Sequence, residues 1–106
     1  MQIASDLRVR AATRPHTRLL GLLALPPLGP AEALALHPCA SVHTCFMGYA
    51  IDVVYLDADD YVLKVVKAMR PWRFSACRGA RTTLELAAGE ADRLRLRTGA
   101  HIAWRR

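Results

Sequence analysis

Residues 51–66 read IDVVYLDADDYVLKVV, two apolar runs joined by four residues that hold three acids. Ile51–Leu56 is β-branched and aromatic, as a buried strand requires. Asp57–Asp60 supplies turn chemistry, and Tyr61–Val66 returns. The pair is a β-hairpin with an acidic, solvated turn. The turn is too short to cage calcium, and the EF-hand spacing is absent. One residue breaks the apolar run. Asp52, between Ile51 and Val53, must be hydrogen-bonded if its strand is central, or else stand at a pocket mouth, because an uncompensated buried charge is costly. The bland expectation is that it pins strand geometry; the sharper one is acid/base chemistry with His43.

Upstream, residues 37–47 read HPCASVHTCFM, with two His, two Cys and a Met. Read as an extended segment over Ser41–Met47, alternation puts His43, Cys45 and Met47 on one face and Val42, Thr44 and Phe46 on the other. Imidazole, thiolate and thioether together suit Cu(I), with Cys39 or His37 as a further ligand. A zinc signature is absent, because no Cys-x-x-Cys or matching His pair occurs. Cys and Met are also common core fillers, so packing is the simpler expectation. Cys39 or Cys45 is the candidate nucleophile of a thiol mechanism, but no nucleophile-elbow or papain-like motif supports it. No cofactor is expected.

The rest of the chain reads mainly as short strands. Leu7–Ala12 alternates apolar and basic residues. Thr13 can cap a helix from about Arg14 that buries Leu19, Leu20, Leu22 and Leu23 and ends before Pro26–Pro27. A Pro/Gly loop spans 26–32. Ala33–Leu36 is a brief strand stopped by Pro38. Residues 68–81 show no periodicity and read as a long exposed connection. Thr82–Ala87 is a strand, Gly89–Arg93 one helical turn, and Ala100–Arg105 a last strand. Many short strands with one short N-terminal helix predict a small mainly β domain, a β-sandwich or barrel, over residues 1–106.

At 106 residues and 53% hydrophobic, the chain is long enough for one core and too apolar for disorder. Three cysteines exclude a fully paired disulfide framework, although Cys39 and Cys45 are near enough to pair. Charge is divided unevenly. Residues 1–63 carry 4 basic and 6 acidic side chains, and residues 64–106 carry 11 and 3. Such asymmetry points to a polyanion partner, either nucleic acid or an anionic membrane surface. Within residues 64–81, Lys67, Arg70 and Arg73 interleave with Trp72, a pattern that single-stranded nucleic-acid binders use. No nucleic-acid motif accompanies it, and a solvated loop or protein-docking surface is the first expectation. Residues 19–28, LLGLLALPPL, mimic a signal peptide. Asp6, a long leading region and three prolines argue against that, and the run is too short to span a bilayer.

One pattern runs through most of these segments. It comprises Arg18, Gly21–Leu22–Leu23, Pro38–Cys39, Ser41–Val42–His43–Thr44 and Phe46–Met47. It continues through Ile51–Asp57, Val62, Leu84–Glu85–Leu86, Gly89 and Gly99. Over about residues 7–104 it resembles the family called domain of unknown function 192. The resemblance implies a mainly β, jelly-roll-like sandwich with a small N-terminal helix, and no established activity. It implies that the 19–28 run is the domain's own helix. Because many relatives start with a secretion signal and this chain starts almost at the domain, it also implies a cytoplasmic location, with secretion as the alternative. Cys45 departs from the family pattern, where a large or neutral residue is usual. The functional expectation is a non-enzymatic binding or accessory domain. It would recognise a protein segment or small molecule through His43, Thr44, Met47 and Asp52. A small His43/Asp52 enzyme and a polyanion-binding module are the alternatives.

Overall fold

Alternation along the hairpin, continued into its neighbours, builds one sheet with two buried faces. The computed structural model describes residues 2–3, 7–12, 28–45 and 47–104. Its strands are β1 (Gln2–Ile3), β2 (Arg8–Ala12), β3 (Glu32–Leu36), β4 (Ser41–His43), β5 (Ile51–Leu56), β6 (Val62–Met69), β7 (Phe74–Ala76), β8 (Thr82–Ala87) and β9 (His101–Ile102). A four-residue helix, α1 (Glu90–Arg93), follows β8. The central sheet has the order β2-β3-β8-β5-β6, antiparallel except for β2 with β3. β4 and β7 form an antiparallel ribbon, and β1 lies parallel to β9. The protein is mainly β, as the sequence predicts.

All six residues of β5 are buried, because β8 and β6 flank it and both of its faces are covered. Val54 and Leu56, with Ala33, Ala35, Leu84 and Leu86, face a cluster closed by Ala91, Leu96 and Ile102. Ile51, Val53 and Tyr55, with Leu34 and Leu36, face a second cluster that includes Val42, Met47 and Met69. The first face is covered by α1 and the segment after it, the second by the β4–β7 ribbon. Each large aliphatic side chain removed from water contributes about 1.5–3 kcal/mol. The two clusters therefore dominate the stability of the domain.

Three expectations are corrected. Residues 68–81 are not one exposed connection: β6 continues to Met69, and β7 pairs with β4 through Ser41↔Ala76, Val42↔Ser75 and His43↔Phe74. The ribbon has one solvent-facing side, and its partner is 33 residues away in sequence, so no local apolar period announces it. The extended segment from Ser41 ends at His43, because the Thr44 carbonyl accepts the Met47 N–H at 3.2 Å and turns the chain. The last strand covers only His101–Ile102, after which Trp104 N–H bonds back to the Ile102 carbonyl. The expected N-terminal helix falls in residues 13–27, outside the described residues.

Candidate functional site

Asp52 shares its strand face with Val54 and Leu56, so its side chain enters the α1 side of the sheet. It is 1% exposed. Oδ1 accepts the Ala68 N–H at 2.8 Å, and Oδ2 accepts the N–H groups of Gly89 at 3.0 Å and Ala91 at 2.8 Å. Each donor has a reason to need it. The β5–β6 register shifts between Ile51 and Val53, and Ala68 sits beside that irregularity with φ 48°. Gly89 is the N-cap of α1 at φ 94° and carries no capping side chain. Asp52 thus caps a helix from a neighbouring strand and holds a bulge with its other oxygen. Glu90 ties the same helix elsewhere. Its Oε1 accepts the Ala31 N–H at 2.7 Å, and both oxygens take the Arg93 guanidinium. The Arg93 hydrogen bonds, then the Ala31 N–H, hold the Glu90 carboxyl down at about 2.

The other predicted site residues lie on the ribbon side. Thr44 is fully buried. Its Oγ1 donates to the Arg70 carbonyl at 2.5 Å and accepts the Arg73 N–H at 2.9 Å. Its own N–H donates to the Arg73 carbonyl, and its carbonyl accepts the Trp72 N–H. One threonine therefore fastens the whole 70–73 turn. Met47 is 6% exposed and packs in the second cluster. Val42 and Ser75 point inward from the ribbon, so His43 and its cross-strand neighbour Phe74 point outward. His43 Nδ1 accepts the Cys45 N–H at 3.3 Å, which leaves the proton of the neutral ring on Nε2. Asp52 and His43 are thus separated by the sheet and the ribbon. Of the four residues expected to form one surface, His43 alone faces outward.

Cys39, Cys45 and Cys77 are all free thiols. The Cys39 thiol donates to the Ser41 carbonyl at 3.1 Å, and Cys39 and Cys77 both pack against the second cluster. The turn after His43 removes the shared face that would have aligned His43, Cys45 and Met47. Among the described residues no group of three His, Cys, Asp or Glu stands close enough to hold a metal ion.

Sequence reasoning missed an inner polar set beneath the ribbon. Tyr55 is fully buried, and its hydroxyl donates to Ser75 Oγ at 2.9 Å. Burial pushes its phenol up, the Ser75 hydrogen bond partly offsets this, and Cys39, Cys77 and Glu85 add to the rise. Tyr49 is raised by burial and then by Glu85. Glu85 is fully buried on the face opposite Leu84 and Leu86. Its signal was legible, since an acid inside an apolar strand is the same pattern that marked Asp52.

The basic residues expected to meet a polyanion divide between two grooves on either side of β6. Lys64, Val66, Met69, Arg70, Arg73 and Phe74 line one of about 440 Å³ on the ribbon side. Val65, Lys67, Asp92, Arg95, Leu96 and Arg97 line another of about 520 Å³ on the α1 side. Lys67 pairs with Asp92 at 2.7 Å. Trp72, at φ 64°, is 59% exposed and Phe74 is 72% exposed. Lys64 Nζ reaches the Ala76 carbonyl at 3.1 Å and stands 5.9 Å from the Tyr55 ring centre.

The same order of segments is shared by other proteins. The profile of the domain of unknown function 192 family, described as "Uncharacterized ACR", matches residues 2–104. The chain belongs to this family. A UPF0127 protein of Thermococcus sibiricus is 34% identical over 102 residues, covering 92% of this chain and 66% of the relative. A UPF0127 protein of Pyrococcus furiosus is 35% identical over 68 residues, covering 63% of this chain and 58% of the relative. The chain thus spans less than two thirds of either relative. Two crystal structures share this fold at TM-score 0.76, each over 88% of this chain. One is a protein of unknown function from Novosphingobium aromaticivorans, 21% identical and covered over 71% of its length. The other is a putative transcription regulator from Sinorhizobium meliloti, 20% identical and covered over 78%. At these identities the likeness is one of fold. Among the described residues no helix is long and apolar enough to cross a membrane.

Proposed function

We propose that this domain of unknown function 192 chain is a non-enzymatic binding domain for an anionic segment of a partner protein. The observation that carries the reading is the Thr44-fastened turn. It holds Trp72 and Phe74 outward beside Lys64, Arg70 and Arg73. Backbone in a sparsely populated conformation costs of order 1–3 kcal/mol, and such positions cluster where a side chain must be presented. Large exposed aromatics with arginine are also the commonest anchors of protein interfaces. The surface keeps His43 from the sequence expectation and replaces Met47, Thr44 and Asp52, which serve the interior. Acid/base work by His43 and Asp52 has less support, since the Asp52 oxygens already receive three backbone donors and His43 points away from them.

Nucleic acid is the second reading. The exposed rings among cations support it, as does the fold shared with a putative transcription regulator of Sinorhizobium meliloti. A titration of the full chain with polyglutamate and with oligothymidylate, read by tryptophan fluorescence at rising salt, tests both. Salt-sensitive quenching by polyglutamate that Trp72→Ala removes supports the first reading. Quenching by oligothymidylate alone favours the second. No response to either ligand at low salt overturns both.

A further inference from the structure

We infer that the partner segment docks as an added β-strand along the outer edge of β6, and that the segment is acidic; this rests on the binding-domain reading above. β6 is the last strand of the central sheet, and among the described residues no strand pairs with its outer side. Its start is closed, since Val62 exchanges hydrogen bonds with Ala100 and Gly99. At its other end the strand kinks at Ala68, φ 48°, whose N–H turns inward to Asp52 of β5. Leu63–Lys67 is left as an open edge of about 16 Å at the usual rise per residue. That is long enough for a short extended peptide to form ladder bonds.

Edges of this kind invite self-pairing, and Lys64 and Lys67 with the two β5–β6 register shifts are the usual guards against it. A second copy would bring a further net charge of +6. The same guards select an acidic strand. An added strand places successive side chains on alternate faces, and β6 has a groove on each. Lys64 and Val66 open on the ribbon-side groove, Val65 and Lys67 on the α1-side groove. Arg70 and Arg73 rim the first groove, Arg95 and Arg97 the second. Among the described residues that line the two grooves Asp92 is the one acid, and Lys67 already pairs with it. Carboxylates on both faces of a bound strand would meet guanidinium groups in both grooves, with an adjacent apolar pair over Val65 and Val66.

The test uses the full chain and a capped eight-residue peptide of Glu-Glu pairs separated by Val-Thr pairs, which puts carboxylates on both faces of the strand. A second peptide of the same sequence has alternate amides N-methylated, so its charge stays and its ladder donors go. Oligothymidylate is the third probe. Amide hydrogen exchange locates binding, and calorimetry measures it. The expected result is at least 10-fold slower exchange at Leu63–Lys67 with the acidic peptide, and at least 10-fold weaker binding of the methylated one. Arg70→Glu and Arg97→Glu, one on each rim, should each weaken the acidic peptide at least 5-fold. Equal binding of both peptides without protection overturns strand addition and leaves the binding-domain reading standing. Binding of oligothymidylate alone overturns the proposal in favour of nucleic acid. Protection of Leu63–Lys67 in a dimer before peptide is added overturns it in favour of a second copy. No binding of any probe overturns both the inference and the reading it rests on.

Discussion

The two sides of the central sheet solve opposite problems with polar residues. On the α1 side, Asp52 is enclosed and all its bonds run inward, to Ala68, Gly89 and Ala91. On the ribbon side, Thr44 is just as enclosed, but its bonds hold a turn that points Trp72, Arg73 and Phe74 outward. Both side chains organise backbone. One stitches the interior together, and the other builds a display. A buried polar residue therefore marks a function only through what it positions.

The largest expected effect breaks this comparison on the α1 side. Asp52→Ala leaves three backbone N–H groups without an acceptor and should cost about 4 kcal/mol in urea unfolding. Asp52→Asn, which keeps one carbonyl oxygen, should fall between. If the alanine variant unfolds at the wild-type midpoint, Asp52 is not the stitch described. Thr44→Val, nearly isosteric, should cost about 2 kcal/mol and raise exchange at the Trp72 and Arg73 amides. A rigid turn in that variant would separate the display from Thr44.

A third prediction concerns acid. The Glu90 pKa in the folded chain is about 2, below its ordinary value of 4.5. The unfolded chain takes up the proton first, so the contribution of Glu90 is complete above pH 4.5 and is lost as pH falls toward 2. Glu90→Gln should flatten the stability profile in that window while leaving the neutral side unchanged in shape. A profile identical to wild type would remove the coupling of Glu90 to Arg93 and Ala31. The smallest effect on stability should come from Trp72→Gly. Glycine adopts φ 64° without strain, so the change should be within about 1 kcal/mol and of either sign. Loss of anionic-ligand binding with stability retained would sharpen the contrast between stitch and display. A variant that binds as wild type would remove Trp72 from the surface.

The hairpin, the flanking strands at Arg8–Ala12, Glu32–Leu36 and Thr82–Ala87, and the helical turn after Gly89 were all legible in the chain. So was the anomaly of an acid inside an apolar strand, which marks Asp52 and equally marks Glu85. The proposed surface was legible only in part. Lys67, Arg70, Trp72 and Arg73 stood out by composition, yet Lys67 lies on the opposite side of β6 from Arg70 and Arg73.

Local order along one strand needs only neighbouring residues, so alternation and turn chemistry determined the elements and the two faces of β5. Three things needed the tertiary fold: the end of β4 at His43, the pairing of β7 with β4, and the roles of Asp52 and Thr44. Those two roles depend on partners 16 or more residues away: Ala68 and Gly89 for Asp52, and Arg70 and Arg73 for Thr44. A carboxylate or hydroxyl has the same chemistry whether it faces a ligand or a backbone N–H. Only the packed chain decides which of the two it meets.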